Sequence, residues 1–386
     1  MFTKLYYRLF VHQIRMSQIF GGAPYLWNKK CSKIYVTNYS KITYYMYGFA
    51  IYTFTLYIGI RVLYIKLYGT MAHIGFAMAL FMCGLFDCSA WAVFMPHPKT
   101  FANSANAFLK FGDNFTSEWK PTFKPEKDRL TYYFDRFILS LAIACVTCPV
   151  WIGLHFFIFP TNPAYPFSFL PPSYLNTWTY LGFGAYYTLA LYGVWTSLMT
   201  VGLMGATYAF MIFSVLRKDL MGRTKLGYST LNTLRTRENL PRVYRELEIL
   251  HKYLIFSFDH IIIPTQSIAT QICLSCNFIL ITGWADLDLA TASILILWSC
   301  GGLSVWTAFL LTGSYIFNQG KKITASWKYL DWTRGDKKYM GKFKKGCRPL
   351  AIRVGGYFCV RKLSVLKFWQ GIVRGTFRAL LALKKN

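Results

Sequence analysis

FILSLAIACVTCPVWIGLHFFIFPTNPAYPFSFLPPSYLNTWTYLGFGAYYTLALYGVWTSLMTVGLMGATYAFMIFSVL, residues 137–216, contains no Asp, Glu, Lys or Arg. A hydrocarbon core of about 30 Å takes roughly 20 helical residues to cross. These 80 residues therefore suffice for two crossings and a connector. The connector is visible within the stretch: Pro160, Pro163, Pro166, Pro171 and Pro172 interrupt any helix that would run through it. Charge is equally absent from 42–60, 67–86, 260–285 and 289–320. The sequence predicts spans near 43–65, 70–95, 137–158, 176–215, 253–283 and 290–318. The fourth and fifth are longer than a bilayer needs, so they continue as helices in water.

A seventh segment closes the chain. Residues 354–386 have a helical pattern but carry Arg361, Lys362, Lys367, Arg374 and Arg378. Each such charge at a bilayer centre costs about 2.5–3.5 kcal/mol on an insertion scale. Lys367, Arg374, Arg378 and Lys385 superpose on one helix face, which must meet water, anionic headgroups or an acidic partner.

Composition agrees with an all-α polytopic membrane protein. Of 386 residues, 54% are apolar, 19% aromatic and only 15% charged, against about 25% charged in an ordinary soluble domain. Mean hydropathy is +0.31. The net charge of +28 therefore does not mark a nucleic-acid binder, which would carry its Lys and Arg on a polar surface. The aromatic content excludes disorder, and ten Cys are too few for a disulfide scaffold.

The basic residues are confined to particular loops. Residues 1–41 hold seven Lys/Arg, 97–136 seven, 217–252 nine and 321–353 eleven. The loops between are almost uncharged, as positive-inside topology requires. The N-terminus is thus cytoplasmic or matrix-side. The division expected is an N-terminal segment 1–42, six spans over 43–320, a basic link 321–353 and a last helix 354–386. No cleavable secretory signal is evident. The acid-free start, with Asp87 the first acid, also suits a mitochondrial presequence.

Few residues offer chemistry. Cys145-x-x-Cys148 with Cys273-x-x-Cys276 has zinc-like spacing, but both pairs sit inside spans, where Cys packs as a small hydrophobe. Asp87 and Asp259-His260 are ionisable groups within spans: either relay residues or satisfied polar groups near the interface. No catalytic triad, paired carboxylate or phosphate loop occurs, so no enzyme, metal or cofactor is implied. The outer halves of the spans gather aromatics with polar tips: His73 and Phe76, Trp151 and His155, Tyr180 and Tyr187, and Trp298. They fit an apolar small-molecule pocket, and equally ordinary packing or an interfacial aromatic belt.

The C-terminal third resembles the end of insect odorant and gustatory receptors. The residues that carry this likeness are Gly320, Ser326 and Trp332, then Arg348-Pro349-Leu350, Gly355-Gly356-Tyr357-Phe358 and Thr376-Phe377. Gly21-Gly22-Ala23-Pro24-Tyr25 and Tyr165-Pro166-Phe167 are similar too. The resemblance implies a seven-helix subunit of a plasma-membrane, ligand-gated cation channel, a homotetramer or a heterotetramer with a co-receptor. It implies a ligand pocket in the outer part of the second, third, fourth and sixth helices, and a pore lined by the last. Thr376, Leu380 and Leu383 are the expected pore positions, with Trp151, Tyr187 and Trp298 as pocket aromatics. Arg374 and Arg378 depart from the family's mostly apolar pore helix and would repel cations if they faced the pore. The alternative is a structural accessory subunit of an inner-mitochondrial-membrane complex, binding cardiolipin through the cationic stripe.

Overall fold

A computed structural model describes residues 1–68, 71–120, 122, 124, 129–223, 227–354 and 358–383. Helix α1 (Lys4–Ile19) leads into a hairpin of β1 (Leu26–Asn28) and β2 (Lys33–Tyr35). Then follow α2 (Asn38–Tyr68), α3 (Met71–Ala92), α4 (Pro98–Trp119), α5 (Arg129–Ile158), α6 (Thr177–Ala206) and α7 (Ser214–Asp219). The chain continues through α8 (Asn239–Thr282), α9 (Leu289–Ser326), α10 (Arg334–Gly346), the short pair β3 (Arg353–Val354) and β4 (Phe358–Cys359), and α11 (Lys362–Leu383). A π-helical stretch, Thr207–Phe213, joins α6 to α7.

Long helices stand at all seven predicted segments. Among the described residues, four stretches are long and apolar enough to cross a bilayer: Asn38–Tyr68, Ile74–Ala92, Thr177–Phe210 and Leu289–Tyr329. The other three carry charge at one end or along one face. α5 begins with Arg129, Asp135 and Arg136, and ends in the apolar Pro149–Ile158. α8 bears all its charges except Asp259 before residue 253, and α11 carries the cationic stripe. The end rich in basic loops is called the inner end below.

The inner end holds structure that a charge count could not reveal. α4 lies in a segment that reads only as a basic loop. Yet Phe101, Ala105, Phe108, Leu109, Gly112, Phe115 and Trp119 recur at helical spacing and are buried. α8 starts well before the predicted span, because Leu240, Val243, Tyr244, Leu247 and Leu250 make an apolar stripe there. Lys120, at the end of α4, pairs with Asp219 of α7 at 2.6 Å, both side chains essentially without solvent exposure. The Ser229 N–H (2.8 Å) and hydroxyl (2.8 Å) and the Thr230 hydroxyl (3.3 Å) also donate to this carboxylate.

The family-like residues of the C-terminal third meet at this end. Gly320 lets α9 approach Leu350 so closely that a Cβ would lie 3.1 Å from the Leu350 nitrogen. The Ser326 hydroxyl accepts from the Gly222 N–H at 2.9 Å. Trp327 donates to the Leu220 carbonyl at 3.0 Å, and Trp332 to the Trp327 carbonyl at 2.8 Å. Gly355, Gly356 and Tyr357 lie outside the described residues. At the other motif, Gly21 has φ +63°, and Gly22 lies so tight on α6 that a Cβ would overlap Gly193 and Thr196.

Candidate ligand site

The proline-rich connector folds back onto the outer ends of the helices. Tyr165 and Phe167 are buried there, and Phe156 of α5 stands between them at ring distances of 5.3 and 5.8 Å. Tyr187 of α6 closes the group, 5.0 Å from Phe156 and 5.2 Å from Tyr165. Phe76 of α3 stacks on His155 at 4.6 Å. Offset and edge-on rings at these spacings add about 0.5–1.5 kcal/mol per pair beyond area burial.

One polar chain threads these aromatics. His155 is 2% exposed. Its Nδ1 pairs with the Tyr165 hydroxyl at 2.6 Å and its Nε2 with the Thr291 hydroxyl at 3.2 Å. Thr291 donates from both its N–H (2.8 Å) and its hydroxyl (2.6 Å) to Asp288, the N-cap of α9. Burial pushes the Asp288 carboxyl up, but these bonds and nearby His155 outweigh it and hold it below the usual range. The connector, α5 and the start of α9 are thus joined through three side chains.

Deeper in the bundle lies a cavity of about 40 Å³, between α2, α3, α5 and α6. Phe54, Thr55, Leu80, Asp87, Tyr187 and Val194 are among its lining residues, and Tyr165 caps it from the connector. The Tyr187 hydroxyl is buried without a hydrogen-bond partner.

Of the residues expected to line a pocket, the structure brings Phe76, His155, Tyr180, Tyr187 and Trp298 into this outer region. Tyr180 donates to the Phe157 carbonyl at 2.6 Å. Trp151 is placed elsewhere: it is 54% exposed on the outside of α5. It sits ~40° around the helix from His155, off the face that buries Ile138 and Phe156. The His73 side chain lies outside the described residues. Asp288 and Thr291 escaped the sequence reading, although Asp-x-x-Thr before an apolar run is an N-cap signal.

α11 packs on α8 and α9. Phe368 and Ile372 are buried on that side, and Gly375 fits so closely on Leu274 that a Cβ would lie 2.7 Å from it. Thr376 belongs to this packed face, its hydroxyl buried and without a partner, and Leu380 is partly buried beside it. Lys367, Arg374 and Arg378 are exposed on the opposite face. The side chain of Leu383 and all of Lys385 lie outside the described residues. Cys273 and Cys276 are fully buried, with the Cys273 thiol 3.6 Å from the Ser299 carbonyl. The Cys145 and Cys148 side chains lie outside the described residues.

Long apolar helices around a buried aromatic cluster define a polytopic helical membrane protein. The structure is similar to that of the insect olfactory receptor OR5 from Machilis hrabei in complex with eugenol, with a TM-score of 0.70 over 97% of this chain and 98% of that one, at 10% identity. It is also similar to a second structure of that receptor, with a TM-score of 0.66 over 96% of each chain at 10% identity. No family model matches the sequence, and no curated protein matches it significantly. The chain has the insect odorant-receptor fold from end to end, in agreement with the resemblance of its C-terminal third.

Proposed function

We propose that the protein is a chemosensory receptor of the odorant and gustatory receptor superfamily, acting as a ligand-gated cation channel in the plasma membrane. A small organic molecule binds among the outer aromatics, and α11 borders the pore of a tetramer, either of this chain or with a co-receptor. The observation that carries the reading is the match over 97% of the chain to a receptor whose structure is described with a small ligand, eugenol. Local geometry supports it: the His155–Thr291–Asp288 chain ties the aromatic cluster to the start of α9, and α9 packs on α11. A ligand opens such a channel by binding the open arrangement better than the closed one. In this reading Arg374 and Arg378 point to headgroups or neighbouring subunits rather than to the ion path.

The test is voltage-clamp of cells expressing the chain, alone and with a co-receptor, against an odorant and tastant panel. Ligand-evoked current whose reversal potential moves with external cation is expected. Silence to every ligand despite surface tetramers would count against it. A single copy among many different chains in particle images would favour the mitochondrial accessory subunit.

A further inference from the structure

We infer that the cavity ending at Asp87 is a binding site for a small organic amine, held by its ammonium group on the Asp87 carboxylate. This names the ligand class for the receptor reading above and rests on it for its physiological meaning.

Asp87 lies in the inner part of α3, within the apolar stretch Ile74–Ala92. It lines the cavity together with Phe54, Thr55, Gly84, Tyr187 and Val194. Among the described residues it has no hydrogen bond and no ion pair. The donors around it are committed elsewhere. Tyr47 donates to the Leu189 carbonyl at 2.7 Å, Thr55 to the Ile51 carbonyl at 2.9 Å, and Ser89 to the Phe86 carbonyl at 2.7 Å. A carboxyl group removed from water without a partner is held neutral or costs several kcal/mol as an anion, and a cationic partner relieves both. A fold that only needed to fill this space would place Leu or Asn there.

A second unpartnered group faces the same space. Tyr187 is 3% exposed, its hydroxyl makes no bond, and its side chain lines the cavity. One wall therefore offers a carboxyl group and another offers a hydroxyl and two aromatic faces, Phe54 and Tyr187, whose centroids are 5.4 Å apart. Ammonium is the ligand group that uses all three: it donates to a carboxylate and a phenol oxygen, and it is attracted to ring faces. Ile51, Leu80, Ile152 and Leu191 supply the apolar remainder of the wall. A volume of about 40 Å³ holds roughly three waters. The fitting ligands are accordingly short alkylamines, with the head toward Asp87 and the chain toward the connector.

The test uses purified full-length protein in lipid nanodiscs and two probes of equal heavy-atom count, ethylamine and ethanol. On wild type, ethylamine should bind at least about tenfold more tightly, the value of a charge-assisted over a neutral hydrogen bond. Asp87→Asn should bring the amine down to the alcohol's affinity, and Tyr187→Phe should weaken it a few-fold. Equal affinity of the two probes for wild type overturns the inference, and that arm needs no variant to fold. An amine preference that survives Asp87→Asn overturns it as well. Currents evoked by uncharged odorants, with no amine preference, leave the receptor reading standing and sink this one. Amine binding that requires Asp87 but evokes no current supports the inference and counts against the channel.

Discussion

Two acidic side chains contrast two regions of this molecule, one buried in the inner-end network and one bordering a cavity within the bundle. Asp219, at the inner end, accepts from a lysine, two hydroxyls and a backbone N–H. Asp87, within the bundle, lines a cavity and has no partner among the described residues. The same side chain does opposite work. Saturated with donors, it locks α4 to α7 and the loop beyond; left open, it marks a place where the fold is not optimised for its own stability. Unpartnered buried hydroxyls occur in both regions: Tyr25 beside the inner hairpin, Tyr57 and Tyr187 on the apolar helices α2 and α6, and Thr376 on α11. Buried polar groups without partners are uncommon and call for an explanation.

The largest effect should come from breaking the saturated end. Asp219→Ala removes the anion from a buried ion pair, which costs about 3–5 kcal/mol. Thermal unfolding of the purified protein should show a collapse of the melting temperature or loss of folded material. A variant that melts with wild type would mean that the inner network is not what holds α4 and α7 together. Asp87→Asn should melt near wild type, and the difference between the two variants is the comparison in measurable form.

Acid should weaken the same end. His251, on the inner part of α8, pairs through Nδ1 with the Tyr208 hydroxyl at 2.7 Å and through Nε2 with the Ala351 backbone at 3.0 and 3.1 Å. Burial holds it below the ordinary imidazole pKa, with the Ala351 carbonyl acting the other way. The unfolded chain takes up this proton near pH 6.5, whereas the folded chain resists it. Below that pH the unfolded state therefore binds more protons, and stability falls as pH falls. Its contribution is fully present above about 6.5 and declines below, by at most about 1.4 kcal/mol per pH unit. His251→Gln should flatten that limb of a stability–pH profile; an unchanged limb would assign it to another group.

How much of this the sequence disclosed follows from which physical signal each feature leaves. Charge-free runs and the proline cluster at 160–172 located the long helices, but α5 and α8 begin well before the predicted spans and α9 ends well after, because bilayer thickness constrains the crossing and not its extension into water. α4 was invisible to that test, since an amphipathic helix averages to ordinary hydropathy and shows itself only as the spacing of Phe101, Phe108 and Phe115. The outer aromatics were legible as a set but not by orientation. His155 and Trp151 are one turn apart, and only the packing of α5 separates a buried histidine from an exposed tryptophan. Asp87 was legible as an anomaly; that it borders a cavity depends on α2 and α6, which no local pattern encodes. The same limit applies to α11, where spacing defines the Thr376 face and the cationic face but not which of them meets α8 and α9.

The smallest effects are the sharpest test, because one chemical change should have opposite signs at neighbouring rings. Tyr165 and Tyr187 are 5.2 Å apart, and both are buried. The Tyr165 hydroxyl is bonded to His155 at 2.6 Å, so Tyr165→Phe should lose about 1 kcal/mol and leave one side of the imidazole unpaired. The Tyr187 hydroxyl has no partner. Tyr187→Phe therefore removes a desolvated oxygen at no cost in hydrogen bonding, and stability should hold or rise by up to about 1 kcal/mol. Parallel melts of the two variants read this directly. If both fall equally, Tyr187 is an ordinary packed tyrosine, and the contrast between a saturated inner end and an open cavity loses its best-placed witness. If they part in sign, the phenol that fails to stabilise the protein is the one turned toward the cavity.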